Sequence, residues 1–176
     1  MVKNVKKFNK QRGLTLIEVI IAMAIMMIVG GVVTTMTVGN NKILSKVDMK
    51  SELQMEAQII QAQVNKVALE SKGISAVEFI DNNGHIKSIS IEDEEYIYQF
   101  SVDNQQVIYQ KLSSDEVLQE KVLASYISSI QVIPSKEDDL LNSNYMEFNI
   151  NLSMKRGAQV VDYRVDNYIV FRNFKK

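Results

Sequence analysis

The chain of 176 residues contains no cysteine, a single histidine and a single proline. Without cysteine it has neither a disulfide framework nor a thiolate metal site. His85 is the only histidine, so the ligand spacing of a zinc site is absent, and there is no glycine-rich phosphate loop. We therefore expect no catalytic residues, no cofactor and no metal, and we interpret His85 as a surface or strand residue.

Two acidic runs are left as candidate ion sites, Glu92–Glu95 and Glu137–Asp139. Loop carboxylates are typical calcium ligands, but the spacing here matches no dedicated calcium-binding loop. We interpret both runs as solvated loops, with calcium binding as the alternative.

Charge is unevenly distributed along the chain. The first 17 residues carry five basic side chains and no acidic one; the basic residues are Lys3, Lys6, Lys7, Lys10 and Arg12. Residues 14–176 carry 15 basic and 21 acidic side chains, a formal charge of −6. This balance argues against a general nucleic-acid-binding protein. Basic residues near the C-terminus, from Lys155 to Lys176, are interpreted as a solvated sheet edge, with a local DNA or surface contact as the alternative.

A long apolar run follows the basic segment, and Val19–Asn41 contains no charged residue. As a helix, residues 14–38 would span roughly 37 Å, against a bilayer hydrocarbon core of about 30 Å. We predict a transmembrane half over 14–38. The basic residues in front of it predict a cytoplasmic N-terminus and an outward-facing remainder.

The helical pattern continues beyond the apolar run. Apolar residues recur at helical spacing from Ile43 through Val47 and Leu53 to Val67, and polar residues fill the other side. No proline interrupts the pattern, and Gly73 is a candidate C-cap. The sequence predicts an amphipathic half over 39–72 that needs only one covering surface.

After Gly73 the hydrophobic period changes to two, which predicts strands. Asp81–Gly84 and Asp103–Gln105 have the composition of hairpin turns. We interpret 117–129 as a short helix running into a strand at 130–133, and 134–144 as a loop.

The clearest strand signal lies near the C-terminus. Every second residue from Met146 to Met154 is apolar, and a similar alternation follows the turn Arg156–Ala158, from Val161 to Phe171. The predicted fold class is α+β: a long N-terminal helix packed on an antiparallel β-sheet formed by 73–176.

Glu18 is the anomaly of the apolar run. At the centre of a lone transmembrane helix a charged side chain costs about 2.5–3.5 kcal/mol on insertion scales, and less near an end. An ionisable residue inside a membrane is by default a functional hypothesis with a partner to be named.

The residues around Glu18 read Lys10-Gln-Arg-Gly-Leu-Thr-Leu-Ile-Glu-Val19. This stretch resembles the class III leader of type IV prepilins and pseudopilins, in which a short basic leader, a glycine, a hydrophobic residue and Thr-Leu-Ile-Glu precede an apolar helix. The resemblance implies that residues 1–13 are a leader peptide, cut between Gly13 and Leu14 by a membrane-embedded prepilin peptidase. It also implies N-methylation of Leu14.

The same resemblance implies how the subunit assembles. Glu18 would pair with the new amine of Leu14 on a neighbouring pilin subunit, and an inner-membrane assembly platform would be a further partner. The chain departs from the family pattern in having Leu14 where Phe or Met is usual. It also has no proline near Thr35, so Gly30-Gly31 is the candidate weak point of the helix.

A long helix followed by a sheet that ends in Phe171-Arg172-Asn173 resembles the minor pilins and pseudopilins of the filament-initiating type, often called W or J. A structural minor pilin is therefore the expected function: a single-pass membrane protein first, then part of a pilus on the cell surface. A pseudopilin of type II secretion or competence machinery is the first alternative. A membrane-anchored binding protein that never polymerises is the second.

Overall fold

A computed structural model describes residues 15–114, 116–134, 141 and 143–174. Within this part the chain forms a helix, α1, followed by strands β1 to β8. Their bounds are α1 Leu16–Glu70, β1 Gly73–Phe79, β2 Ile86–Glu92, β3 Ile97–Asp103, β4 Gln106–Ser113, β5 Glu116–Ala124, β6 Ile127–Pro134, β7 Tyr145–Arg156 and β8 Gln159–Val170. The predicted α+β class, a long N-terminal helix packed on antiparallel sheet, is confirmed.

The chain divides into two compact units between Leu44 and Ser45. In the first unit, the side chains of α1 from Leu16 onward are exposed all round, apart from a half-buried Gly39. This segment therefore has no hydrophobic core of its own among the described residues.

In the second unit, one stripe of α1 is buried against the strands. Its members recur every three or four residues, as one face of a helix requires. They are Met49, Leu53, Ala57, Ile60, Val64, Val67 and Ala68. Ile43 and Val47 share the helical spacing but are 61% and 57% exposed, because the covering strands reach the helix only from Met49 onward.

The predicted C-cap at Gly73 is wrong. The helix ends at Glu70, and both the backbone N–H and the hydroxyl of Ser71 donate to the carbonyl of Val67, at 3.0 and 2.7 Å. Lys72 N–H then donates to the carbonyl of Glu92 at 2.8 Å, so the chain is already extended at Gly73, the first residue of β1. A serine has taken the capping role because its side chain satisfies a terminal carbonyl directly.

The strands form two antiparallel sheets where one was predicted. Strands β1 to β5 follow one another in a five-stranded sheet, and β6 to β8 form a three-stranded sheet. The chain changes sheets at Tyr126, whose φ of 64° is rare for an aromatic residue. There the carbonyl of Tyr126 accepts from Ser153 N–H of β7, and Ile127 N–H donates to the carbonyl of Gln105, both at 2.9 Å. These bonds direct β6 towards β7.

The helix predicted within 117–129 is also wrong, since these residues belong to β5 and β6. The first seven residues of β5 are exposed, so the strand has no buried face that would impose alternation on its sequence. It forms because β4 offers a ladder of backbone hydrogen bonds along its length.

The predicted turns and the clearest strand are confirmed. Gly84 and Gly157 have φ of +81° and +63°, in the left-handed region, and Asn104 and Gln105 together turn β3 into β4. The apolar side chains of β7 are buried throughout: Met146, Phe148, Ile150, Leu152 and Met154. Most of the loop predicted at 134–144, including the acidic run Glu137–Asp139, lies outside the described residues.

Candidate functional site at the start of the helix

The predicted processing site lies at the very start of the apolar helix. Gly13 and Leu14, the residues predicted to flank the cut, lie outside the described residues, and so does the predicted methylation site on Leu14. The description begins at Thr15, immediately before α1, and includes Glu18 in its first turn.

Thr15 and Glu18 bond to each other reciprocally. The backbone N–H and the hydroxyl of Thr15 each donate to Oε2 of Glu18 at 2.8 Å. The backbone N–H of Glu18 donates to Oγ1 of Thr15 at 3.4 Å. This is a capping box: the residue before the helix and the third helical residue satisfy each other's free N–H groups.

The capping box bears on which partner Glu18 still needs. A single copy of the chain does supply Glu18 with hydrogen-bond donors, because Thr15 provides two of them. These donors are neutral, however, and the carboxylate is exposed at the start of a strongly apolar helix. The sequence signal for the capping box is the spacing Thr-x-x-Glu, which is also part of the leader motif.

The helix that follows the capping box is long and apolar enough to cross a membrane, by length and composition, and no residue in its most apolar window is buried. The hydroxyl groups of its threonines donate hydrogen bonds to backbone carbonyls of the same helix. Thr34, Thr35 and Thr37 donate to the carbonyls of Gly30, Val32 and Val33 at 2.8 to 2.9 Å. Such local bonding lets a hydroxyl sit in an apolar surrounding without an external partner.

The glycine pair in this span is helical. α1 runs through Gly30 and Gly31 without a break, and a Cβ added at either glycine would meet nothing within 4 Å. The suggestion that the pair forms a weak point of the helix stays a prediction. It concerns an assembled state, in which other subunits would contact this surface.

The remaining candidates lie far along the chain from this segment. His85 sits at the β1–β2 turn, where its Nδ1 lies 2.7 Å from Oδ2 of Asp81. The backbone N–H groups of Asn83 and His85 also donate to Asp81, so the carboxylate shapes the turn. The bond from His85 holds the pKa of Asp81 below its usual value.

The first acidic run also has a turn-forming carboxylate at its centre. Oδ1 of Asp93 accepts from the N–H groups of Glu95 and Tyr96, at 2.6 and 2.8 Å. Its Oδ2 accepts from the hydroxyl of Tyr98 at 2.9 Å. Over the residues that can be described, no three His, Cys, Asp or Glu side chains group closely enough to hold a metal ion.

Two of the basic residues near the C-terminus have acidic partners. Arg156 lies 3.1 Å from Glu52 of α1, and Arg164 lies 2.7 Å from Asp166 on its own strand. Lys175 and Lys176 lie outside the described residues. Ion pairing of these two arginines fits a solvated surface better than a dedicated DNA contact.

Residues 8–34 match the family described as "Prokaryotic N-terminal methylation motif". The match covers the last residues of the leader, the predicted cut and most of the apolar segment 14–38, and it supports a type IV pilin-like or pseudopilin protein. Neither the curated proteins nor the solved structures gave a match to the chain.

Proposed function

We propose that this chain is a minor pilin, a scarce structural subunit of a type IV pilus, processed by a prepilin peptidase and assembled through residues 14–38. The observation that carries the proposal is the conjunction of the methylation motif with an apolar helix segment exposed on every side. An apolar surface of this kind needs lipid before assembly and other helices afterwards.

Processing places the cut before the apolar segment. Gly13 presents no side chain to the peptidase, and the membrane helix survives because it follows the cut. Removal of residues 1–13 leaves Leu14 with a free amine, which is then methylated. The expected product is a chain that starts at methyl-Leu14, with its second unit outside the membrane.

Mass spectrometry of the protein purified from its native host tests this step. The N-terminal peptide should begin at Leu14 and carry one extra methyl group. An intact leader, or a chain that begins beyond Val38, would contradict the proposal and favour an ordinary anchor or a secreted product.

Assembly is proposed to use the charge of Glu18, beyond its capping bond. Thr15 satisfies the hydrogen-bonding capacity of the carboxylate but is neutral, and within residues 15–174, as far as they are described, no cation pairs with Glu18. The amine of Leu14 on a neighbouring subunit would supply the cation in a site of low dielectric, where a charge pair is far stronger than in water. Pairing of this kind also fixes the axial register between two helices, since a shift would separate the charges.

Two substitutions separate the charge of Glu18 from its capping role. Glu18→Gln keeps a side chain that capping boxes accept but removes the charge. Thr15→Ala removes most of the capping box, at about 0.5–2 kcal/mol of helix stability, and keeps the charge. We expect both variants to be cleaved and Glu18→Gln to be far more depleted from sheared filaments than Thr15→Ala.

The opposite order in that experiment would show that Glu18 acts through helix capping alone. Equal incorporation of both variants and the unmodified chain would remove the charge-pairing proposal. If the processed protein never leaves the membrane fraction, the chain is a membrane-anchored binding protein. If it is found only with a secretion or DNA-uptake machinery, it is a pseudopilin.

A further inference from the structure

A cleft in the second unit has no part in the proposed assembly. It lies between α1 and strands β4 and β5, at the edge of the five-stranded sheet, and encloses about 260 Å³. Three lysines from three different elements line it: Lys66 of α1, Lys111 of β4 and Lys121 of β5. Glu70 is the one carboxylate among its described lining residues, so this lysine cleft carries a formal charge of +2.

Strand register brings two of the lysines together. Lys121 lies opposite Tyr109, and Gln119 lies opposite Lys111, so Lys111 and Lys121 are diagonal neighbours on the same face of the sheet. Diagonal partners on antiparallel strands are about 7–8 Å apart. Long side chains at this spacing can reach the same ligand, so one anion could contact both lysines.

The helix supplies the third lysine from the opposite wall. Gln63, Lys66 and Glu70 are spaced three and four residues apart, so they share one face of α1. Lys66 and Glu70 have the spacing of a helical ion pair but do not form one. Within the part of the chain that the structure describes, none of the three lysines of the cleft forms an ion pair.

Two tyrosine rings form the floor of the cleft, and the hydroxyl of Tyr98 donates to the carboxylate of Asp93 behind it. The rings of Tyr98 and Tyr109 stack with centroids 6.4 Å apart, and both side chains are buried. Burial raises the pKa of both hydroxyls, so they stay protonated at neutral pH. Nζ of Lys111 sits 3.4 Å above the centre of the Tyr96 ring, a cation–π contact that fixes the position of its charge.

We propose that the lysine cleft binds a small phosphate-bearing anion. Phosphate oxygens accept several charge-assisted hydrogen bonds at once, which suits ammonium groups arriving from three directions. The volume is below that of typical pockets for drug-sized ligands, which favours an anion of the size of pyrophosphate. Because the tyrosine rings are buried, the cleft offers no face on which a nucleic-acid base could stack.

The test is isothermal titration of the full chain, in micelles of a neutral detergent, with sodium pyrophosphate at constant ionic strength. We expect saturable binding at one site per chain. The triple variant K66Q/K111Q/K121Q should bind at least tenfold more weakly. The control K46Q/K50Q/K87Q has the same net charge but alters lysines outside the cleft, and it should stay within about twofold of the unmodified chain.

Two further arms make the result interpretable. The variant K66R/K111R/K121R keeps the charges and should retain binding, which shows that charge at these positions is what matters. An unchanged circular dichroism spectrum of K66Q/K111Q/K121Q excludes loss of fold as the cause of weaker binding. In nanodiscs with phosphatidylglycerol, competition that weakens pyrophosphate binding would identify a lipid headgroup as the source of the phosphate; unchanged binding would identify a free anion.

Absence of saturable binding would overturn the proposal. Equal loss of binding in the two triple glutamine variants would overturn it too, because the attraction would then be diffuse surface charge. Neither result bears on processing or polymerisation, since the lysine cleft lies outside the apolar segment that carries those functions.

Discussion

The two parts of α1 differ in how far their apolar side chains are covered by the rest of the chain. From Leu16 to Asp48 almost every side chain is exposed, although the sequence there is the most apolar of the chain. From Met49 to Ala68 the sequence is more polar, yet one stripe of it is completely covered by the strands of the same chain.

This difference indicates that the second part of α1 serves the folding of the single chain, whereas the first part serves contacts outside it. The apolar stripe of the second part is buried against strands of the same chain, so its stability is a property of the single protein. The first part has no covering surface within the described residues, so under our proposal its apolar side chains are covered by lipid or by other helices. Substitutions in the two parts should therefore be detected by different measurements.

The largest difference should come from removing apolar side chains. Leu53 is fully buried, so Leu53→Ala should lower the free energy of unfolding by about 2–5 kcal/mol. Ile43→Ala removes a similar volume from an exposed position and should change it by about 0.5 kcal/mol or less. Denaturant unfolding of the full chain in detergent measures both. Equal effects would show that the first part has a covering surface of its own.

A charge in the first part should affect membrane insertion. Val29→Lys places an ammonium group at the middle of the apolar segment, at a cost of about 2.5–3.5 kcal/mol on insertion scales. Gln58→Lys makes the same charge change on an exposed position of the covered part and is the matched control. Membrane fractionation should show poor insertion of the first variant and normal insertion of the second.

Glycine replacements should have opposite effects on stability in the first part of α1 and in the strand turns of the second unit. Gly30→Ala fills open space in a helix and should stabilise it by about 1 kcal/mol. Gly84→Ala should destabilise the second unit by about 1–3 kcal/mol, because the position has a positive φ and the new Cβ would lie 2.8 Å from the carbonyl oxygen of Val132. Gly157→Ala has the same backbone constraint without the clash and should cost less. Thermal unfolding and helical circular dichroism distinguish the three.

The smallest effect should be a pH dependence confined to the second unit. The bond from His85 lowers the pKa of Asp81 in the folded protein, so its contribution is present above about pH 3.9, the usual aspartate pKa, and is lost as pH falls through the folded value. Asp81→Asn should make the acid limb of the stability profile shallower, and Asp162→Asn, on exposed β8, should not. Acid unfolding followed by circular dichroism measures the slope.

Elements with a strong hydrophobic periodicity could be predicted from the sequence. The apolar run, the helical stripe and the alternation of β7 each repeat over many residues, and each is set by one dominant burial surface. The turns at Gly84 and Gly157 could be predicted as well, because few residues tolerate their backbone geometry.

What sequence could not predict depends on contacts distant in the chain. Strand β5 has no buried face over most of its length, so its sequence carries no period, and only its ladder with β4 makes it a strand. The change of sheet at Tyr126 depends on hydrogen bonds to Gln105 and Ser153. The capping box has a sequence signal, but the leader motif and the capping motif share Thr15 and Glu18, so the pattern alone does not separate their two roles.

The central claim is that the first part of α1 is covered only in the cell, by lipid or by other subunits. The chain has no cysteine, so single cysteines report cleanly on access to a maleimide that does not cross membranes. Val29→Cys and Asn82→Cys are both exposed positions in the isolated chain, on the apolar segment and on the β1–β2 turn. In intact cells and purified filaments, Asn82→Cys should be labelled and Val29→Cys should be labelled only after denaturation. Equal labelling of the two without denaturation would contradict the account.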